Sequence, residues 1–147
     1  MKIRFFIIIA MLFSGLLYSQ VLTGTACIRK RTEKMDTLNY LKQFETNKAN
    51  YIGQPFSKLL NDMTQIQPKT IWATSNFKNK NQVISSMMNF CNKEYSFYNV
   101  ITLLVEWQTP ILKNEIKYYE QLNHFYFTND EKNFYGSKII KDIKVYR

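Results

Sequence analysis

The hydrophobic pattern of the chain centres on one mostly apolar stretch, Ser96 to Pro110. Apolar residues occupy both parities of this stretch: Ile101, Leu103, Val105 and Trp107 on one, Val100 and Leu104 with Thr102 on the other. A strand with apolar residues at both odd and even positions is typical of the middle of a sheet that is covered on both of its faces. The pattern therefore predicts a strand in the middle of a sheet, with the rest of the chain arranged around it.

Two stretches before this strand have helical periodicity. Met35 to Asn47 places apolar residues three apart, and Asp36 or Thr37 is suited to cap its N-terminus. A second helix is predicted to start at Pro55, because proline suits the first turn, and to end before Pro68. Its apolar face has the spacing i, i+3, i+4 and i+7 and consists of Phe56, Leu59, Leu60 and Met63.

A third helix is predicted from Pro110 to about Leu122. Thr109 is suited to be its N-cap, and Pro110 its first residue. The following segment, Asn123 to Tyr135, combines several aromatic residues with a charged turn. It is interpreted as a partly ordered loop or a short hairpin.

Three further stretches are rich in β-forming residues. Thr70 to Phe77 predicts a strand, and the turn Lys78 to Asn81 leads into Gln82 to Cys91. This last stretch also has a helical face, but its short length between two turns favours a strand that pairs back as a hairpin. Ser137 to Tyr146 predicts the final strand, since its isoleucines and valine favour β structure.

These elements follow the order α-α-β-β-β-α-β. The order predicts an α+β fold in which a mainly antiparallel sheet is covered by helices. Residues 35–147 are expected to form one small domain, preceded by a basic flexible linker at 20–34.

The first residues have the three parts of a signal peptide. Lys2 and Arg4 are positive, Phe5 to Leu17 is almost continuously apolar, and Ser19-Gln20 follows. Cleavage after Ser19 would remove residues 1–19. The chain is then expected in the periplasm or outside the cell, with no transmembrane span, because the apolar run is shorter than the roughly 20 residues that a span needs.

The chain has two cysteines, Cys27 and Cys91. In an oxidising compartment they can form a disulfide. The small residues Gly24 and Ala26 before Cys27 partly resemble a bacterial lipobox, which implies lipidation of Cys27 and an anchor in the outer membrane. Because Gly24 stands where lipoboxes usually have leucine, the soluble exported form is preferred.

Charge indicates the kind of partner. The chain has 20 Lys and Arg against 11 Asp and Glu, a formal charge of +9, and removal of Lys2 and Arg4 leaves +7 (9 − 2). Arg29, Lys30 and Arg31 are candidates for contact with an anionic surface. The expected partners are therefore an envelope protein, an anionic polymer or lipid headgroups, and export argues against nucleic acid.

Catalytic patterns are scarce. His124 is the only histidine, so a site with several histidine ligands for a metal cannot be built. A cysteine–histidine pair would have to use His124, with Cys91 as the option that leaves Cys27 free. No local motif surrounds either residue, and no catalytic, cofactor-binding or metal-binding residue is assigned.

Glu106 stands out because it interrupts an apolar run, with Glu115 or Glu120 as conceivable partners in acid–base chemistry. The favoured interpretation is that Glu106 lies at the end of the strand, where its carboxylate reaches water or pairs with a lysine. The sequence thus favours a non-enzymatic binding module, with a small secreted hydrolase that uses carboxylates around Glu106 as the alternative.

Overall fold

A computed structural model describes residues 36–96 and 100–147. Its elements are α1 Thr37–Thr46, α2 Phe56–Asp62, β1 Thr70–Ser75, β2 Gln82–Asn89, β3 Thr102–Leu112, α3 Lys113–Asn123, α4 Asn129–Gly136 and β4 Ile140–Tyr146. Short 3₁₀ helices lie at Lys48–Asn50 and Lys93–Tyr95. The predicted α+β class and order of elements are confirmed, with α4 as an additional helix before β4.

The strands form one antiparallel sheet in the order β1-β2-β3-β4. β3 lies between β2 and β4, which confirms that the most apolar strand is in the middle. Val105 is paired with Ser86 on one side and with Ile143 on the other. The stretch from Gln82 onward is a strand and not a helix, as predicted, and it forms a hairpin with β1.

One face of the sheet packs against the helices. Residues of one strand parity and the apolar faces of the helices form a single buried cluster, which includes Leu41, Phe44, Phe56, Leu59, Leu60, Met63, Ile71, Met88, Leu103, Val105, Trp107, Ile116, Tyr135, Ile143 and Val145. The predicted apolar stripes of α1 and α2 therefore point into the core. Asp36 caps α1, where its side chain accepts a hydrogen bond from the Asn39 backbone N–H.

The opposite face differs from the prediction that β3 is covered on both sides. Trp72, Met87 and Leu104 on this face are only half-buried and lie outside the core cluster. Among the described residues, no helix contributes a buried side chain to this face. We call it the helix-free face. Its apolar residues explain why the sequence pattern resembles that of a strand buried on both sides.

The predicted end of β3 is wrong. The strand does not stop at Pro110 but continues to Leu112, and Ile111 is paired with Val83 of β2. The backbone N–H of Gln108 bonds to Ile139, just before β4 begins, so the nitrogen of Pro110 faces the side where β4 no longer runs. Proline is tolerated at such an edge because no ladder hydrogen bond is lost. Consequently α3 starts at Lys113 and lacks the predicted Thr109 cap.

The predicted loop at 123–135 is also wrong in its second half, which is α4. Thr128 and Glu131 form a capping box at its start, with each side chain bonded to the other residue's backbone. Before it, His124 and Phe125 have φ values of 51° and 69°. This left-handed backbone turns the chain so that Phe125 and Phe127 pair with the outer edge of β1.

Predictions about the N-terminal part of the chain concern residues outside the described ones. These are the signal peptide at 1–19, the linker at 20–34, and the roles assigned to Cys27, Arg29, Lys30 and Arg31. The signal peptide, the linker and the roles of these residues stay predictions.

Candidate functional site

The helix-covered face contains a buried polar group of three side chains. Trp107 Nε1–H donates to Ser86 Oγ across 3.1 Å, and the hydroxyl of Tyr135 also hydrogen-bonds with Ser86. Burial raises the pKa of Tyr135. Because all three residues are buried, no ligand can reach them, and their hydrogen bonds satisfy polar atoms inside the core.

Glu131 is a second buried polar residue. Its carboxylate accepts hydrogen bonds from Thr128 N–H at 2.9 Å, from Thr128 Oγ1 at 2.5 Å and from Asn123 Nδ2 at 2.9 Å. These bonds tie the start of α4 to the end of α3. The position and the partners of Glu131 therefore indicate a structural role.

Glu120 lies on α3 against the exposed edge of β1. Partial burial raises the pKa of its carboxyl group, while Lys113 and the backbone N–H of Ala73 act in the opposite direction. The backbone of Phe125 and Phe127 pairs with one part of the outer edge of β1, and the Glu120 carboxylate occupies the next part. Both leave fewer backbone groups of this edge strand open to another chain. Glu115, in the first turn of the same helix, is exposed.

Glu106 lies on the helix-free face, in a row with Asp142, its partner across the β3–β4 pair. Lys144 Nζ is 2.8 Å from Glu106 Oε1, and Lys141 Nζ is 3.9 Å from Oε2. A hydrogen bond from Lys48 lowers the pKa of Asp142. The two acids therefore form a network of surface ion pairs with three lysines.

Glu120, one of the two proposed partners of Glu106, is not beside it in the sheet. Glu120 lies against Ala73 of β1, and β2 separates β1 from β3, the strand of Glu106. Glu106 instead makes its ion pairs with lysines of β4. It lines none of the three cavities described among residues 36–96 and 100–147, and the hydrolase alternative stays a prediction.

Cys91 lines a cavity of about 240 Å³ together with Thr37, Phe90, Val100, Ile101 and Arg147. Its side chain is half-buried and forms no disulfide with another described residue. His124, the only other residue suggested for cysteine chemistry, is exposed at the end of α3 and does not line this cavity. The structure therefore gives no support for a Cys91–His124 pair.

The turn between β1 and β2 presents the most exposed large apolar side chain of the described residues. Phe77 is 98% exposed. Lys78 and Lys80 follow it, and the backbone N–H of Lys113 bonds to Asn81 across 2.9 Å, which places the start of α3 beside the turn. Leu112, 50% exposed, precedes Lys113. We call Phe77, Lys78, Lys80, Leu112 and Lys113 the hairpin tip.

The hairpin tip was not identified from the sequence. Phe77 was assigned to the first strand, where it has the same parity as Ile71 and Ala73 and would face the helices. The strand instead ends at Ser75, and Asn76 N–H bonds to Gln82 across 2.7 Å. The signal that could have revealed the tip is the sequence Phe-Lys-Asn-Lys-Asn, which combines one aromatic residue with lysines and turn-forming asparagines and contains no acid.

Within the described residues, no group of three or more His, Cys, Asp or Glu side chains is arranged to hold a metal ion. Likewise, none of the helices in 36–96 and 100–147 combines the length and the apolar character that crossing a membrane requires.

Comparisons with protein-family models, with curated proteins and with solved structures found no match for this chain.

Proposed function

We propose that this chain is a non-enzymatic, exported binding module that contacts an anionic surface at the cell envelope. The observation that carries the proposal is the hairpin tip, which combines three exposed lysines with an aromatic ring that is 98% exposed. Residues 76–82 contain no acid. A cluster of one sign of charge attracts and holds a surface of the opposite sign.

Local charge around the tip supports an anionic partner. Residues 76–82 and 112–117 together have four lysines and one glutamate, a net charge of +3 (4 − 1). Within the described residues, Lys78 and Lys80 form no ion pair. Their ammonium groups are therefore available to an external anion, unlike those of Lys48 and Lys144, which pair with carboxylates.

A binding role is favoured over the hydrolase by the surroundings of Glu106. A general acid must be able to reach the leaving group of a bound substrate. Glu106 instead lies on a sheet face beside two lysines and opposite a second acid. This arrangement holds neighbouring strands together without enclosing a substrate.

Export is the part of the proposal that depends on the first 35 residues. The native protein is expected to begin at Gln20, with Cys27 unlipidated, because the lipobox fit is poor at Gly24. Intact-mass measurement of protein from its native host separates the cases. The expected mass is that of a chain that begins at Gln20, and it is lower by two hydrogens if Cys27 and Cys91 form a disulfide. The mass of a chain that retains Met1 would contradict export. The mass of a chain with an acylated Cys27 would show that the protein is a lipoprotein.

The contribution of the tip to binding is tested by reversing charges at two places. The double variant Lys78→Glu/Lys80→Glu is expected to weaken binding to vesicles with anionic headgroups by roughly tenfold or more, since each basic residue near such a surface contributes about 1 kcal/mol. Dextran sulfate serves as the polymer probe. Vesicle co-sedimentation and polymer-affinity elution are the two measurements.

The matched control is Lys132→Glu/Lys141→Glu, which changes the net charge by the same amount away from the tip. Both residues are exposed. The tip variant should lose much more affinity than this control. Equal losses would show that only the total charge matters and would contradict a localised site. A third variant, Arg29→Glu/Lys30→Glu/Arg31→Glu, measures how much the basic linker contributes to the affinity for vesicles.

A further inference from the structure

We propose that the surface bound by the hairpin tip is an anionic phospholipid bilayer and that the Phe77 ring inserts into it. The proposal rests on the anionic-surface function above and specifies its target. Lys78, Lys80 and Lys113 would contact lipid phosphates while the ring enters the boundary between headgroups and acyl chains. The described chain would then bind the membrane from its surface.

The exposure of Phe77 is set by the backbone. Asn76 N–H bonds to Gln82 O across 2.7 Å, and Gln82 N–H bonds to Asn79 O across 3.0 Å. The side chain of Asn76 accepts a hydrogen bond from Lys78 N–H at 2.9 Å. These bonds close the turn just inside Phe77, so the ring projects beyond the end of the hairpin and has no place to pack in the core.

The base of the turn adds a second exposed apolar residue and a third lysine to the tip. Leu112 is paired with Gln82 at the base of the turn and is half exposed. Lys113 follows it and is bonded through its backbone to Asn81. Long lysine side chains can extend their ammonium groups to headgroups while an adjacent apolar side chain goes deeper.

This chemistry fits a bilayer better than the other anionic surfaces. A hydrated polyanion would satisfy the lysines but offers no apolar phase for Phe77. A protein partner with a stable interface usually covers about 800 Å² per partner, with aromatic residues in its centre, whereas the tip has one protruding ring and one half-exposed leucine. A bilayer supplies both headgroup phosphates and an apolar layer at the depth of one side chain.

The test is Phe77→Ala in the full chain, with co-sedimentation on vesicles of equal parts phosphatidylcholine and phosphatidylglycerol. Burial of a phenylalanine side chain changes a partition equilibrium by roughly tenfold to a hundredfold, so a loss of about tenfold or more is expected. The full native chain is expected to begin at Gln20, and all samples share this N-terminus, so whatever residues 20–35 contribute to lipid binding is common to all of them. Phe77 is exposed, so its replacement should leave the thermal midpoint unchanged.

The matched control is Tyr95→Ala. Tyr95 is also an exposed aromatic residue, at 61%, but it lies in the connection between β2 and β3, at the other end of the sheet. Its replacement should change vesicle binding less than about twofold, which is small beside the effect expected from burial of a ring. Binding of Phe77→Ala to dextran sulfate should equal that of the wild type.

Each result has a distinct meaning. A vesicle-specific loss in Phe77→Ala supports insertion. Unchanged vesicle binding in Phe77→Ala overturns insertion, while the anionic-surface function still stands if the Lys78→Glu/Lys80→Glu variant loses affinity. If the wild-type chain binds dextran sulfate but not vesicles, the insertion proposal is overturned and the anionic-surface function still stands. Binding to neither probe overturns both proposals.

The depth to which residue 77 enters the bilayer can be measured directly with the variant Phe77→Trp. Lipids brominated on their acyl chains quench tryptophan fluorescence on contact, and the native residues Trp72 and Trp107 give a background that is common to all samples. Phe77→Trp should show additional quenching on brominated vesicles, and Tyr95→Trp should not. Equal quenching in the two variants would contradict insertion at the tip.

Discussion

Replacement of Trp107 by alanine is expected to lower the free energy of unfolding by about 3–5 kcal/mol. Trp107 is 2% exposed, and its ring contacts Phe56 and Tyr135 with centroids 5.6 Å away in both cases. Its Nε1–H donates to Ser86 Oγ. Truncation would remove these contacts together and leave a cavity between the sheet and two helices. Urea unfolding followed by circular dichroism measures the loss.

Trp107→Phe is the control for this prediction. It keeps much of the ring volume but removes the donor to Ser86, so the loss should be smaller than for alanine. A loss below about 2 kcal/mol in Trp107→Ala would be too small for a buried tryptophan. It would contradict the packing of Trp107 between α2 and α4.

Leu103→Ala is expected to cost about 2–5 kcal/mol. Leu103 is 0% exposed and lies on the helix-covered face, paired with Met88 and Val145 on the two neighbouring strands. A leucine so enclosed leaves a cavity that its surroundings can fill only in part. The same unfolding measurement applies.

The next residue along the strand is the matched control. Leu104 is half-buried on the helix-free face, and Leu104→Ala should cost about 1 kcal/mol, the usual size for a partly exposed site. The difference between the two variants measures how unequally the two faces are covered. Equal losses would contradict the assignment of one helix-covered and one helix-free face.

The helices that were predicted correctly have apolar stripes that are local in sequence. Leu41 and Phe44 of α1, and Phe56 and Leu59 of α2, are buried as their spacing predicts. The hairpin of β1 and β2 was also predictable, because a turn rich in asparagine and lysine separates two β-rich stretches. Local periodicity and turn chemistry therefore account for the class and order of the fold.

The errors arose where long-range pairing decides the outcome. Pro110 and the threonine before it suggest a helix start, but cross-strand pairing with β2 extends the strand to Leu112. The aromatic residues before α4 suggest a loop or hairpin, but Thr128 and Glu131 form a capping box that starts a helix. An apolar pattern on both parities of β3 also does not reveal that the helices within 36–96 and 100–147 pack against one face of the sheet.

The tip was missed for a related reason. Parity along a strand predicts an inward side chain only while the strand continues, and β1 ends two residues before Phe77. Glu106 was identified correctly as unusual within an apolar run. Its explanation is the row of ion pairs with Lys141 and Lys144, which the sequence alone does not place across from it.

Binding to an anionic surface is tested most directly by equilibrium co-sedimentation of the wild-type chain with two sets of vesicles. One set contains phosphatidylcholine alone, and the other contains equal parts phosphatidylcholine and phosphatidylglycerol. Preferential binding to the anionic set is expected, with strong weakening when salt is raised from about 0.1 M to about 1 M, because the screening length falls from about 10 Å to about 3 Å. Equal binding to both sets, or binding that is independent of salt, would contradict an electrostatic interaction at the hairpin tip.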